Sequence, residues 1–177
     1  MNQRLFIAIK IPGIIAGKII NGLILPRGFK LAEPENLHVT ILFLGDTDET
    51  LVPKISDAIK SAISGIKKFM LEISEFGQFP PKGEPKILYA TGRRGLEDLM
   101  RLSSAIRKNL EMLGFRDDKE FKYHATLARL KSRLRESFSL PKFNRAFEYN
   151  VDEVILFKSE LKPAGPVYEK VGIFSLG

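Results

Sequence analysis

The chain contains only two histidines, and both begin the same short pattern. His38 opens the stretch HVTI and His124 opens HATL, so each imidazole is followed two positions later by a threonine hydroxyl. The 177 residues include five threonines, and chance would place one after both histidines in about one sequence in a thousand. The repetition therefore predicts two copies of one structural unit with a shared chemical purpose.

Strand geometry would bring each histidine and its threonine together. Both motifs lie in apolar runs, and side chains two positions apart in a strand project from the same face of a sheet. His38 is then paired with Thr40, and His124 with Thr126, while the residue between each pair points to the opposite face. We expect one face of each motif strand to carry chemistry and the other to pack in the core.

Two imidazoles and two hydroxyls suit acid–base chemistry at a phosphate. A neutral histidine can accept a proton from water while a cationic histidine donates one to a leaving oxygen, and threonine hydroxyls can bind the non-bridging phosphate oxygens. Two other interpretations compete with acid–base catalysis: the histidines could be half-buried structural residues, or they could be the ligands of a metal ion. A catalytic zinc usually takes three protein ligands, whereas the chain has no cysteine and no HExxH motif, so we expect neither a metal nor a cofactor.

Length and composition bound the architecture. A chain of 177 residues, 44% hydrophobic and 28% charged, should form a single domain, residues 1–177, that can be divided into two lobes. Its net charge of +7 would attract polyanions, although an evenly solvated basic surface explains the charge equally well. The apolar N-terminal stretch is interrupted by Lys10, Lys18 and Pro12, which favours a core strand and helix over a membrane span. We therefore predict a soluble, cytoplasmic protein.

Hydrophobic periodicity predicts an α+β chain. The long helical stripe that begins at Leu96 stops at Gly114, where a left-handed C-cap costs least. A basic and polar connection follows the second motif and runs to residue 145. Three helices are predicted: 13–25, one whose apolar stripe runs from Leu51 to Ile63 and which ends at Gly65, and one whose stripe runs from Leu96 to Leu113 and which ends at Gly114. The predicted strands are 4–9, 37–44, 69–76, 86–91, 121–130, 146–157 and 167–174.

The order of these elements indicates an internal duplication. The stretch RLFIAI, a helix and His38 are matched by KILYAT, a helix and His124, which aligns Arg4 with Lys86. Two strand–helix–strand halves, each ending in one motif, predict a pseudo-twofold molecule whose motifs face a shared cleft.

The two motifs also carry a resemblance to a known family. HVTI and HATL resemble the paired motifs of the two-histidine phosphoesterase superfamily, and specifically its RNA 2′,3′-cyclic phosphodiesterase branch, also called the 2′-5′ RNA ligase family. Further matching stretches, in order along the chain, are RLFIAI, PENLHVTILFLGD, FGQFPPKGEPKIL, LGF, HATLARLK and LFKSEL…GPVYE.

The resemblance implies a fold, an activity and residue roles. The fold would be α+β, with two pseudo-twofold-related lobes whose antiparallel or mixed sheets line a V-shaped central cleft and whose helices lie outside. The activity would be metal-independent hydrolysis of RNA 2′,3′-cyclic phosphate ends to 2′-phosphates, in RNA processing. His38 would be the proton donor and His124 the proton acceptor, while Thr40 and Thr126 would bind the phosphate.

Further substrate contacts are expected at less regular positions. Arg129 matches a commonly basic position of the family, but strict alternation would direct it away from His124, so a phosphate contact requires a bulge or the end of the strand. Lys86 stands where relatives often have arginine and is a candidate substrate ligand. Tyr168 could stack a nucleobase, although packing is the favoured interpretation, and Phe43 and Phe79 are expected in the core.

The expected partners are RNA with a 2′,3′-cyclic phosphate end or small cyclic nucleotides, with no obligate protein partner. Two other functions stay open. Reversible 2′-5′ RNA ligation would use the same cyclic phosphate and the same acid–base pair. A non-catalytic RNA-binding module would retain its affinity for RNA after loss of both histidines.

Overall fold

The structure, a computed structural model, describes residues 1–135, 138–163 and 165–177. In this part of the chain three α-helices and ten strands form an α+β fold, as the periodicity predicts. The helices are α1 (Gly13–Asn21), α2 (Val52–Ile63) and α3 (Leu96–Glu111). The strands are β1 (Asn2–Lys10), β2 (Phe29–Leu31), β3 (His38–Asp48), β4 (Phe69–Ile73), β5 (Glu75–Phe79), β6 (Ile87–Thr91), β7 (Ala125–Leu130), β8 (Phe147–Val151), β9 (Glu153–Lys162) and β10 (Gly165–Ser175).

The strands form two four-stranded sheets and one two-stranded sheet. The first sheet has the order β10-β9-β1-β3, the second β2-β7-β6-β5, and β4 pairs with β8. Neighbouring strands run antiparallel in every pairing of the described chain. The first motif lies on β3 and the second at the start of β7, and these two strands approach each other. Each large sheet therefore contributes one motif.

The helices form because their apolar residues recur at helical spacing and can be buried together. On α3 the side chains of Leu99, Leu102, Ile106 and Leu110 are all fully buried. Helix α3 packs against α2, and both lie against the common hydrophobic core. Gly114 follows α3 with a φ of +88°, so the predicted left-handed residue after this helix is confirmed. None of the described helices has the length and apolar character needed to cross a membrane.

Several predicted boundaries are wrong. Helix α1 ends at Asn21 rather than at residue 25. The predicted strand 69–76 is two strands, β4 and β5, separated by Ser74 and belonging to different sheets. The predicted strand 146–157 is likewise divided, at Asp152. An apolar run does not reveal which partner strand accepts its hydrogen bonds, so a change of sheet within the run leaves no signal in hydrophobic periodicity.

Strand β7 contains a β-bulge directly after its motif. Its pairing with β6 joins Tyr89 to Thr126 and Leu88 to Ala128, so Leu127 is an extra residue without a partner on β6. Leu127 and Ala128 are consecutive and both fully buried, which shows that the alternation of faces is interrupted here.

Strand β3 has the same irregularity at the same distance from its histidine. Its pairing with β1 joins Ala8 to Thr40 and Ile7 to Leu42, so Ile41 is the extra residue. Ala8 lies opposite Thr40 and Tyr89 lies opposite Thr126, so Ala8 and Tyr89 are equivalent residues of the two halves. The alignment of RLFIAI with KILYAT instead matches Ala8 with Ala90. The duplication in the structure is therefore shifted by one residue from the predicted one. The two halves thus share the bulge as well as the motif.

Candidate active site

Each histidine and its threonine lie on one face of a sheet, which we call the motif face. His38 and Thr40 are half-buried, whereas Val39 between them is fully buried on the opposite face. His124 and Thr126 are also half-buried, on either side of the fully buried Ala125. The predicted packing face is therefore confirmed for both motifs, and each histidine shares the opposite face with its threonine.

The two imidazoles are oriented by equivalent hydrogen bonds. Nδ1 of His38 lies 2.6 Å from the backbone oxygen of Asn36, and Nδ1 of His124 lies 2.8 Å from the backbone oxygen of Lys122. A carbonyl oxygen only accepts, so Nδ1 must carry the proton and donate in both cases. Nε2 of each ring is then free to accept a proton when neutral and to donate one when the ring is cationic.

Aromatic side chains surround His38. The centroid of its ring lies 5.0 Å from that of Phe6, 5.3 Å from that of Tyr168 and 6.5 Å from that of Phe157, and Phe157 stacks on Phe6. This burial lowers the pKa of His38 below its ordinary value of 6.5, against the opposing effect of the hydrogen bond to Asn36. The charges of His124 and Arg129 lower this pKa further.

His124 has a different aromatic environment. Phe79 and Tyr89 stack on each other and both meet the His124 ring edge to face, with centroids 5.5 and 5.9 Å away. Gly77 on the neighbouring strand leaves room for this arrangement, because a Cβ there would overlap the Tyr89 ring. Edge-to-face contacts of this kind fix the orientation of a ring.

The bulge in β7 brings Arg129 to the motif face. Arg129 is exposed and lies opposite Ile87 and Lys30 on the strands at its sides. Its charge acts on both His38 and Tyr168, which belong to the other large sheet. The side chain that strict alternation would direct away from the histidines therefore faces them.

The threonine hydroxyls are available for a ligand. In the described part of the chain, neither Thr40 nor Thr126 has a hydrogen-bond partner for its hydroxyl group, and neither side chain is fully exposed. A half-buried hydroxyl can donate to an anionic oxygen placed beside the neighbouring imidazole.

Phe43 occupies the position on β3 that Arg129 occupies on β7, five residues after the histidine. The bulge at Ile41 turns it to the motif face, where it is 62% exposed and its ring lies 6.0 Å from that of Phe6. The expectation that Phe43 belongs to the core is therefore wrong, because alternation was counted without the bulge. An exposed ring at this position offers a stacking surface for a planar group.

The remaining predicted residues lie at different distances from this arrangement. Tyr168 is half-buried and packs on Phe6 and His38, which agrees with the packing interpretation. Lys86 is exposed and immediately precedes Ile87, the residue that lies opposite Arg129, so alternation directs Lys86 to the other face of the sheet. Its contact with a substrate stays a prediction.

Two residues that support the site were not identified from the sequence. Asn36 accepts the His38 hydrogen bond with its backbone oxygen and donates from its side-chain amide to the backbone oxygen of Pro166, 3.2 Å away. The hydroxyl of Thr91 donates to the backbone oxygen of Tyr123, beside His124, at 2.8 Å. The Asn36–Pro166 and Thr91–Tyr123 hydrogen bonds join a side chain to a backbone oxygen that is distant in the chain, so no sequence pattern predicts them.

Metal ligands are not gathered at the motifs. Within residues 1–135, 138–163 and 165–177, no three or more histidine, aspartate or glutamate side chains are placed to hold a metal ion together.

Comparison with known proteins gives concordant matches. The family described as LigT-like phosphoesterase matches residues 18–89 and 94–168. A protein of Archaeoglobus fulgidus named RNA 2′,3′-cyclic phosphodiesterase is 33% identical over 97% of this chain and 99% of its own length. A protein of the same name from Thermus thermophilus is 32% identical over 98% of this chain and 90% of its own length.

Solved structures share the fold. The crystal structure of a Thermus thermophilus protein superposes with a TM-score of 0.85 and 31% identity, covering 98% of this chain and 97% of the other. The crystal structure of LigT from E. coli in complex with 3′-AMP has a TM-score of 0.86 at 24% identity, with 99% of both chains covered. The second match concerns the fold alone.

The surroundings of the two histidines lead to a first prediction. The chain has only two imidazoles, so an NMR titration of the histidine ring protons gives two curves. The curve that is missing in a His38→Ala variant belongs to His38. We expect His38 to titrate below 6.5, and Arg129→Gln to raise its pKa because a nearby positive charge is removed. The matched control Arg133→Gln should leave the pKa unchanged, since a more distant exposed charge is screened. A His38 pKa at or above 6.5, or one insensitive to Arg129→Gln, would contradict this description of the site.

Proposed function

Since the chain belongs to the LigT-like phosphoesterase family, we propose that it hydrolyses the 2′,3′-cyclic phosphate at the end of an RNA chain to a 2′-phosphate. The observation that carries the proposal is the pair of imidazoles with the same tautomer, Nδ1–H donating to a backbone oxygen and Nε2 free. The names of relatives at 33% and 32% identity support the same reaction.

We further propose that residues 1–177 form one domain in which the two large sheets are pseudo-twofold-related lobes lining a V-shaped cleft. The shared H-x-T motif, the shared bulge and the equivalent histidine hydrogen bonds support the pseudo-symmetry. The action of the Arg129 charge on His38 and Tyr168 supports motif faces that lie opposite each other. A cyclic phosphate between them would meet one imidazole on each side.

The reaction needs one base, one acid and a holder for the phosphate. His124 Nε2 takes a proton from water, and the water oxygen attacks phosphorus in line with the bond to the 3′ oxygen. As that bond breaks, His38 donates the proton on its Nε2 to the 3′ oxygen, and the 2′ oxygen keeps the phosphate. The hydroxyls of Thr40 and Thr126 and the Arg129 guanidinium bind the non-bridging oxygens, where negative charge accumulates.

The low pKa of His38 fits its assignment as the acid once the substrate charge is included. In the free protein, burial and the positive charge of Arg129 lower the pKa of His38 and favour the neutral ring. A cyclic phosphate carries a negative charge, and an anion beside the ring favours the cationic form. Binding of the substrate would therefore protonate His38, and His38 would later donate this proton to the 3′ oxygen.

The proposed pair of catalytic histidines can be tested by substitution. We expect His38→Ala and His124→Ala each to lower turnover of a 2′,3′-cyclic nucleotide at least about a hundredfold, the low end of general acid–base contributions. The double variant should be little slower than either single variant, because residues that act as a unit are not additive. The assay follows formation of the 2′-phosphate and, with a 5′-hydroxyl RNA present, of a 2′-5′-linked product. Small, additive losses would support the structural alternative for the histidines, and RNA binding without turnover would support the binding module.

The proposed steps use no metal ion, and this metal independence can be tested separately. The Arg129 charge and the cationic form of His38 would neutralise the phosphate, so hydrolysis should continue at an unchanged rate in excess EDTA. The matched control is the same protein in EDTA with magnesium or zinc restored. A rate that falls in the chelator and returns with the ion would reject the metal-independent mechanism.

The roles of the two histidines can be distinguished with a nitrophenyl phosphodiester of a nucleotide. This leaving group needs little protonation, whereas the attacking water still needs a base. If the nitrophenyl group binds on the His38 side, His38→Ala should recover much of its lost rate on this ester, while His124→Ala should stay impaired. Rescue of His124→Ala alone would reverse the assignment, and equal rescue of both would mean that neither histidine has a dedicated role.

A further inference from the structure

Directly after the second motif, every second residue from Arg129 to Arg135 is basic. Residues 129–135 read RLKSRLR, and Leu130 and Leu134 are half-buried. The four basic side chains, which we call the basic stripe, are exposed: Arg129, Lys131, Arg133 and Arg135. The segment is therefore anchored by its leucines and presents a row of cations.

This part of the chain carries most of the excess charge. Residues 121–145 contain seven lysines and arginines and one acidic residue, a net charge of +6 out of the +7 of the whole chain. No cation of the stripe forms an ion pair with a carboxylate in the described residues, whereas Lys60 and Arg101 on the helices are paired with Asp57 and Asp98. The positive charge is thus concentrated in one segment, and within the described residues no ion pair neutralises the stripe, which an evenly solvated surface does not explain.

The stripe is held in place by its backbone. The backbone N–H of Lys131 donates to the backbone oxygen of Gly28 at 2.7 Å, and that of Leu134 donates to the Glu84 carboxylate at 3.1 Å. An open cavity of about 570 Å³ is lined by Ser132, Leu134 and the last two arginines of the stripe. A cationic segment fixed before binding loses less entropy when it binds a ligand.

The stripe begins inside the candidate active site. Arg129 lies on the motif face, and its charge acts on both His38 and Tyr168. The next cation, Lys131, follows two residues later and leads away from the histidines along the chain. A ligand whose terminal phosphate lies between the histidines and whose chain passes Arg129 would have its other phosphates beside the stripe.

We propose that the basic stripe binds the sugar–phosphate backbone of the nucleotides that precede the terminal cyclic phosphate. The inference rests on the proposed function, and it makes an RNA chain, rather than a mononucleotide, the preferred substrate. Cα atoms two residues apart are at most about 7 Å from each other, whereas a stacked strand advances about 3.4 Å per nucleotide. One cation is therefore available for each one or two phosphates. Contacts to phosphates alone favour chain length over base sequence.

The test compares two variants with the same loss of charge. The stripe variant is Lys131→Gln/Arg133→Gln/Arg135→Gln, which leaves Arg129 in place. The control variant changes three exposed lysines elsewhere on the surface: Lys54→Gln, Lys67→Gln and Lys68→Gln. Each protein is titrated with a fluorescent RNA of about eight nucleotides that ends in a 2′-phosphate, between about 50 and 200 mM salt. Turnover of a 2′,3′-cyclic mononucleotide is measured in parallel.

For the stripe variant we expect at least a tenfold weaker Kd for the RNA at the lower salt concentration. The slope of log Kd against log salt should fall by about 2, since each lost contact to a single strand contributes about 0.7. Its mononucleotide turnover should change less than twofold, and the control variant should bind the RNA like the wild type.

Two results would overturn the proposal: an unchanged slope in the stripe variant, or equal losses in both variants, which would indicate attraction by net charge alone. The binding measurement needs no turnover. A wild-type protein that fails to hydrolyse the mononucleotide and the RNA end would therefore reject the proposed function, while the comparison of the two variants would still decide whether the stripe binds RNA.

Discussion

The β-bulge that follows each H-x-T motif is the constraint on which the arrangement of the site depends. Without it, alternation would send Phe43 and Arg129 to the buried faces of their sheets. The unpaired Ile41 and Leu127 reverse the alternation, so that both side chains return to the face of the histidines. The bulge is a property of pairing with β1 and β6, so the first strand of each strand–helix–strand half helps to decide which side chains the motif strand presents.

One structural unit used twice produces two histidines with the same orientation and different electrostatics. Both rings donate from Nδ1 to a backbone oxygen two residues earlier, which leaves Nε2 available in both. Their surroundings differ because β9 and β10 bring Phe157 and Tyr168 to the side of His38, while His124 meets Phe79 and Tyr89 from its own sheet. Different environments are the means by which these two identical groups would acquire the acid and base roles that we propose.

The equivalent positions after the two bulges also differ in chemistry. One sheet presents the exposed ring of Phe43 and the other the guanidinium of Arg129. A ligand would therefore meet a stacking surface at the first sheet and a positive charge at the second, so the two ends of the site differ. The basic stripe continues from the cationic side, where Lys131 follows Arg129 along the chain. In the pseudo-twofold arrangement that we propose, this difference would favour one direction for a bound RNA chain.

The sequence by itself determined the features that depend on local spacing. Alternation assigned His38 and Thr40 to one face, helical periodicity identified the buried stripe of α3, and the conformational freedom of glycine marked the residue after it at Gly114. Only the tertiary structure decided which strands pair, where the bulges lie and how deeply each histidine is buried. These properties arise from hydrogen bonds and ring contacts between distant segments, such as Tyr168 against His38, and local spacing carries no information about them.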